Sequence, residues 1–299
     1  MIKRFQAAPV RGIDPVRAEI TDPDAREAAV RVQDTLAGAG RVGVAYSGGV
    51  DSSVLLALAV RSLGAGSVVA ITGMSPSLAG RELRLARRVA ALIGAPMLEV
   101  ATDEGELPEY RANGLDRCFH CKDTLFSTID DTLLERHRLD AVAYGETADD
   151  RVRTDRPGTV AATEHGVLRP LAEAGVGKGI IRTIAQELGL PNWDKAAAPC
   201  LASRIPHFSE VTPEKLAQVE AAEDALWELS FRDLRVRHYD DTASVELPPK
   251  DMVKLVSPEV RGEVIRRIRG AGFRRVVLDL EGLRSGSLFQ IAGTGHERE

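Results

Sequence analysis

No apolar run in the 299-residue chain is long enough to span a bilayer. The N-terminal Met1-Ile2-Lys3-Arg4-Phe5-Gln6 leads into no apolar signal core. A formal net charge of −5 provides no general attraction to nucleic acid or to anionic lipid. These absences predict a cytoplasmic protein with neither membrane nor nucleic acid among its partners. Cysteine is scarce, with only Cys118, Cys121 and Cys200. An odd count in a reducing compartment makes a poor disulfide framework and points to metal or nucleophilic chemistry. No internal repeat or low-complexity tract is present. With 44% hydrophobic and 28% charged residues, the composition is that of one large or two ordinary globular domains.

Two common nucleotide motifs are also missing. No glycine turn ends in Gly-Lys-Ser/Thr, and none carries the three glycines of a dinucleotide fingerprint. In their place stands Ala45-Tyr46-Ser47-Gly48-Gly49-Val50-Asp51-Ser52-Ser53. The apolar residues 41–46 read as a buried parallel strand, and residues 54–60 as a helix. Gly48 and Gly49 let the backbone approach a ligand closely. The first turn of the helix offers unpaired N–H groups and the positive end of the dipole to an anion. Ser47, Ser52 and Ser53 add hydroxyls, and the Asp51 carboxylate suits a magnesium ion beside phosphates. The run resembles the PP-loop of ATP pyrophosphatases, enzymes that adenylylate a substrate and release pyrophosphate.

Residues 1–23 carry three prolines and no clear period, and read as an N-terminal arm. A helix is predicted over 24–36. Strands follow at 68–72, 97–100 and 139–144, with helices at 80–93 and 118–134 between them. Strands alternating with helices predict an α/β fold, a parallel sheet covered on both faces. Ligands in such sheets lie beyond the carboxyl ends of the strands, where the PP-loop, Thr72 and Gly145 fall. After a helix at 178–188, the stretch 193–208 reads as loop. Thr212 and Pro213 open a helix reaching about residue 229. Paired strands at 233–238 and 242–247, a helix at 259–269 and a strand at 274–280 complete a smaller α+β unit. The predicted domains are therefore 24–208 and 209–299.

Cys118-Phe119-His120-Cys121 is a Cys-x-x-Cys pair at a predicted helix start. With Cys200, three thiolates suit an iron–sulfur cluster with one iron open. Zinc with His120 or His207 as fourth ligand is an alternative, and three unrelated buried thiols a third. Gly145-Glu146-Thr147-Ala148-Asp149-Asp150 follows a strand and reads equally as nucleotide contact or as helix cap. Arg235 and Arg237 share one face of a strand and suit a phosphate or carboxylate, or are ordinary exposed arginines.

These pieces occur together in an order that resembles the LarE family, the ATP-dependent sulfur transferases that make the nickel-pincer nucleotide cofactor. The PP-loop carries the resemblance with Arg117-Cys118-Phe119-His120-Cys121-Lys122, Ala148-Asp149-Asp150 and Asp155-Arg156-Pro157-Gly158. Further matches are Arg169-Pro170-Leu171-Ala172-Glu173-Ala174, Leu188-Gly189-Leu190-Pro191-Asn192-Trp193-Asp194-Lys195, Pro199-Cys200-Leu201-Ala202-Ser203-Arg204-Ile205-Pro206 and Arg235-Val236-Arg237. The resemblance implies that ATP adenylylates a carboxylate of pyridinium-3,5-biscarboxylic acid mononucleotide. Sulfur then displaces AMP to leave a thiocarboxylate. It implies that Ala45, Ser47, Gly48, Gly49, Asp51, Ser52, Ser53, Thr72 and Gly145 bind ATP, with Mg²⁺ on Asp51. Cys200 stands at the sulfur-bearing position, with Ser203 and Arg204 beside it. Glu223 lies near the substrate, and Arg235 and Arg237 hold its phosphate. Members with all three cysteines are associated with a [4Fe-4S] cluster fed by sulfide or another sulfur donor. Members with only the cysteine matching Cys200 consume it. The family suggests a homo-oligomer, with a hexamer as one form. Gly145-Glu146-Thr147 departs from the family's Gly-Thr-Asn, and the stretch 151–154 is one residue longer. A tRNA thiolase with the same loop and a three-cysteine cluster is the alternative reading, and it requires a basic surface. Ammonia-using ligases have no need of the cysteines. A non-catalytic ATP sensor would release no pyrophosphate.

Overall fold

A computed structural model of the chain describes residues 2–5, 14–151 and 157–284. The first strand, β1 (Ile2–Phe5), lies within the expected arm and is followed by α1 (Pro23–Leu36). Asp22 caps α1, accepting from the Ala25 N–H at 2.8 Å, with proline at the first helical position. Next come β2 (Val42–Ala45), α2 (Val50–Leu63), β3 (Val68–Met74), α3 (Gly80–Ile93) and β4 (Met97–Ala101). Helix α4 (Arg117–Thr132), strand β5 (Ala141–Tyr144), α5 (Pro157–Glu164) and α6 (Lys178–Glu187) follow.

The sheet order is β1-β4-β3-β2-β5. Strands β4, β3, β2 and β5 are parallel, and β1 adds antiparallel at the β4 edge. Successive side chains of the parallel strands go to opposite faces, as a pleated strand requires. Val42, Val44, Val68, Ala70 and Ala143 join the core beneath α1, α2, α3 and α6. Val69, Ile71, Leu98, Val100, Val142 and Tyr144 join the core beneath α4 and α5. The near-continuous apolar sequences of these strands follow from this two-sided burial.

The rest of the chain forms α7 (Pro213–Glu228), β6 (Arg235–Tyr239), β7 (Thr242–Glu246), α8 (Pro249–Val256), α9 (Pro258–Gly270) and β8 (Arg275–Leu278). Strand β7 pairs antiparallel with β6 and parallel with β8. Val236, Ala243 and Val245 of one sheet face meet Ala222, Leu226, Leu255, Val264 and Ile268 of the helices. Among the described residues no helix is long and apolar enough to cross a membrane.

The chain divides into two compact units, Met1–Glu104 with Cys118–Ala198, and Gly105–Arg117 with Pro199–Glu299. The boundary expected at 208/209 thus falls inside the second unit, and an earlier segment joins that unit as well. The cause is polar. Asn113 is fully buried at a left-handed φ of 57°. Its Nδ2 donates to the carbonyls of Ile205 at 3.3 Å, Pro206 at 2.8 Å and Ser209 at 2.9 Å. Its Oδ1 accepts from Arg117, whose Nη1 also donates to the Ala202 carbonyl at 2.9 Å.

Candidate active site

In the first unit, the carboxyl ends of β2, β3 and β5 meet the N-terminus of α2. Gly48 has a φ of +71°, and a Cβ there would lie 2.6 Å from that of Ala86. Glycine is therefore required by both torsion and space. Gly145 is required by space: a Cβ would lie 2.9 Å from the Ser52 nitrogen and 3.1 Å from the Asp51 carbonyl carbon. The end of β5 thus touches the first turn of α2, where Asp51 and Ser52 sit. Ala45 ends β2, paired in register with Ile71 and Tyr144. Ser47 is exposed, and its Oγ lies 3.2 Å from the Ser52 Oγ and accepts from the Gly49 N–H at 3.3 Å. Gly49, the N-cap of α2, makes no side-chain cap, so the N-terminal dipole of the helix is left for an anion.

Not every predicted ligand faces the same way. Ser53 is fully buried. Its Oγ accepts from Asn192 Nδ2 at 3.0 Å and lies 3.4 Å from the Tyr46 hydroxyl, placing it behind the loop. Thr72 is buried and donates to the Tyr46 carbonyl at 2.7 Å. Burial pushes the Tyr46 hydroxyl well above the usual tyrosine pKa, against a smaller pull from Ser53, so it stays protonated. In the segment after Gly145, the side chains serve as caps. Thr147 and Asp150 exchange N–H bonds at 3.3 and 3.2 Å, and Asp149 accepts from the Lys178 N–H of α6 at 2.6 Å. Glu146 is buried, accepting from Thr159 at 2.7 Å. Asp155, Arg156 and the longer stretch at 152–154 lie outside the described residues.

In the second unit, the sheet face opposite the apolar core carries charge. Arg237 is buried and forks onto Glu246, with Nε to Oε1 at 2.8 Å and Nη2 to Oε2 at 3.1 Å. Its Nη1 donates to the Ser203 carbonyl at 2.6 Å. Arg204 is also buried. It forks onto the fully buried Glu223 at 2.8 and 3.3 Å, and that carboxylate accepts the Val236 N–H at 3.1 Å as well. Arg204 Nη1 also donates to the Pro199 carbonyl at 2.6 Å, the Cys200 carbonyl at 3.4 Å and the Ser203 Oγ at 2.9 Å. Arg235 is only 8% exposed. It donates to the Arg284 carbonyl at 2.7 Å and has no carboxylate in ion-pair contact among the described residues. Burial, then Arg237 and Arg204, push its pKa below the ordinary arginine value, while Glu246 and Glu223 pull the other way. Among the described residues, the ion pairs in this cluster join Arg204 to Glu223 and Arg237 to Glu246, and Arg235 is in neither.

Cys118 and Cys121 lie on the first turns of α4, three residues apart and so on one helix face. Cys118 is exposed and Cys121 half-buried, while Cys200, in the second unit, is exposed; none forms a disulfide. Among the described residues no three His, Cys, Asp or Glu side chains are gathered as a metal site. The donor chemistry still suits an iron–sulfur cluster, because three thiols can ligate three irons and none of them is fully buried. The chain around them is also anchored. Within the second unit, Arg117 donates to the Ala202 carbonyl, in the turn that begins after Cys200.

Sequence reasoning missed Asn113, Glu246 and the bracing role of Asn192. Asn113-Gly114 is a turn signal, and Glu246 falls on the arginine side of an alternating strand. Neither signal says what the side chain binds.

A strand, a glycine loop aimed along a helix axis and a parallel sheet define an ATP-utilising α/β enzyme of the PP-loop class. The family described as asparagine synthase matches residues 27–137, from α1 through the loop and past α4. A pyridinium-3,5-bisthiocarboxylic acid mononucleotide synthase of Lactiplantibacillus plantarum is 35% identical, covering 83% of this chain and 88% of that protein. Uncharacterized proteins of Synechocystis sp. and Methanocaldococcus jannaschii are 42% and 29% identical over 83% and 81% of this chain, and over 91% and 90% of their own. The chain belongs to the LarE family and is a sulfur transferase of the adenylylating, ATP pyrophosphatase type.

Proposed function

We propose that this enzyme adenylylates the carboxylates of pyridinium-3,5-biscarboxylic acid mononucleotide and converts them to thiocarboxylates. The substrate class comes from the name of the Lactiplantibacillus plantarum relative. The observation that supports it best is in the second unit, where a buried, net-positive arginine cluster is bonded through Arg204 to the backbone of Cys200. An anion held by Arg235 and Arg237 would thus lie near the residue predicted to bear sulfur.

In the first step, a substrate carboxylate oxygen attacks the α-phosphorus of ATP and pyrophosphate leaves. Gly49 and the start of α2 hold the phosphates, with Ser47 and Ser52 supplying hydroxyls and Asp51 holding Mg²⁺. In the second step, sulfur attacks the acyl carbon and AMP leaves, so the carboxylate oxygen departs with AMP. Cys118, Cys121 and Cys200 would hold a [4Fe-4S] cluster, which supplies an open iron for sulfide. A cytoplasmic location and a homo-oligomer, the hexamer among its forms, complete the reading.

The test uses anaerobically reconstituted protein supplied with the mononucleotide, ATP and sulfide. Pyrophosphate and AMP should appear with thiocarboxylate product, over many turnovers. Each single Cys→Ser variant should lose iron and sulfur transfer yet still release pyrophosphate. A protein that has lost the elements of H₂S at Cys200, with product capped near one sulfur per chain, would sink the cluster reading. Pyrophosphate release with tRNA and none with the mononucleotide would overturn the substrate.

A further inference from the structure

Asn192 lies in the loop after α6, far along the sequence from the PP-loop, and is 1% exposed. Its Nδ2 donates to the Gly48 carbonyl at 3.0 Å and to the Ser53 Oγ at 3.0 Å. A side-chain amide has two N–H donors, and both are spent on this loop. Its Oδ1 is buried without a partner among the described residues, so these two bonds are the whole return for burying the amide. The neighbouring residues are themselves held. Arg182 donates to the carbonyls of Trp193 at 3.0 Å and Lys195 at 2.8 Å, and Lys195 pairs with Glu82 of α3. The amide is therefore presented from a fixed frame.

A trans peptide points its C=O and N–H in opposite directions. Holding the Gly48 carbonyl on the inner side therefore turns the Gly49 N–H outward, toward the mouth of the loop. Gly48 is buried and Gly49 half-exposed, consistent with that sense. Without the bond, the exposed Gly49 N–H contact to the Ser47 Oγ at 3.3 Å would be a weak restraint on rotation of the peptide, because neither glycine has a Cβ to forbid the flipped torsions. A flipped peptide would offer phosphate a carbonyl oxygen in place of an N–H, reversing the sign of the interaction. We infer that Asn192 is a positioning residue that locks the Gly48–Gly49 peptide with its N–H toward the phosphates of ATP. The inference rests on reading this loop as the ATP site.

The test measures binding of ATP, inorganic pyrophosphate and AMP by calorimetry to the wild type, Asn192→Ala and Asn192→Asp. Asn192→Asp keeps the shape but, when ionised, places an oxygen against the Gly48 carbonyl. Both variants should bind ATP and pyrophosphate about tenfold or more weakly, from the loss of a charge-assisted N–H contact. Affinity for AMP should stay within about twofold. As the pH is lowered, Asn192→Asp should regain affinity, because the protonated acid can donate to Gly48, whereas Asn192→Ala should not. Unchanged binding, or equal losses for all three ligands, would overturn the assignment. So would failure of both variants to fold, since the amide would then be supporting the unit at large. A wild type that binds neither ATP nor pyrophosphate would instead remove the reading of the loop itself.

Discussion

Arg235 and Arg237 lie two residues apart on one strand face, yet replacing them should have opposite consequences. Arg237→Met leaves Glu246 buried, 3% exposed, without the fork at 2.8 and 3.1 Å that neutralises it. Breaking one side of such a pair costs about 3–5 kcal/mol of folding stability. Arg235→Met orphans no carboxylate. It loses the bond to the Arg284 carbonyl at 2.7 Å, a hydrogen bond from a charged group. It also removes the desolvation of a buried cation and its repulsion by Arg237 and Arg204. These effects oppose one another, so the net change should stay within about 1 kcal/mol. Function should rank the two the other way. On the proposed reading Arg235, which has no carboxylate in ion-pair contact among the described residues, is expected to take the substrate phosphate, and losing that contact would cost about 1.5–3 kcal/mol, roughly a 10- to 150-fold rise in KM. Urea unfolding of each variant measures the first quantity. Steady-state KM for the mononucleotide, against KM for ATP, measures the second. Equal destabilisation by the two substitutions, or an unchanged KM for the mononucleotide in Arg235→Met, would refute the reasoning.

Gly48→Ala should reduce pyrophosphate release by about an order of magnitude or more, because a left-handed alanine costs about 1–2 kcal/mol and its Cβ would lie 2.6 Å from that of Ala86; wild-type kinetics would show that the loop tolerates displacement. Asp51→Ala should abolish pyrophosphate release with the circular dichroism spectrum unchanged, and retained release would remove Asp51 from the mechanism. His165 bridges Asp130 at 2.6 Å and Asp123 at 2.9 Å, tying the end of α5 to α4. Burial opposes its charge, but the bonds to Asp123 and Asp130 outweigh burial and raise its pKa above the ordinary value. A raised folded pKa means that the stabilisation is full below the ordinary histidine pKa and fades as the pH rises through the folded value. The stability gap between wild type and His165→Gln should therefore shrink with rising pH, and a gap that widened would contradict the ion pairs.

The PP-loop was legible because its chemistry is local. Strand, glycines and helix start lie within one short run, and Gly48 has the torsion that only glycine adopts at little cost. The apolar strands β2 to β5 were legible because burial on both faces leaves a continuous signal. Strand β1 was not, since four residues at a sheet edge carry too little pattern. Helix α8 was also missed, in a stretch where one proline caps the helix and a second opens it. Among the site residues, Ser53 matched the motif but is bonded to Asn192, a partner supplied by a distant loop. The arginine pair was visible as a pair. That Arg237 is bonded to Glu246 and Arg235 is not depends on tertiary geometry that spacing does not carry.

The membership of Gly105–Arg117 in the second unit bears on the order in which the protein can be made. The ribosome must add 81 residues after Arg117 before it reaches Pro199, where the second unit resumes. At about 5–20 residues per second this takes roughly 4–16 s. Throughout that interval the carbonyls that Asn113 is built to bind do not yet exist. The nascent segment therefore waits in water while the surrounding chain folds into the first unit, and its burial comes last. A chain released at Ala198 would hold a complete first sheet and an unsealed insertion, which makes 105–117 the place where a protease should cut first.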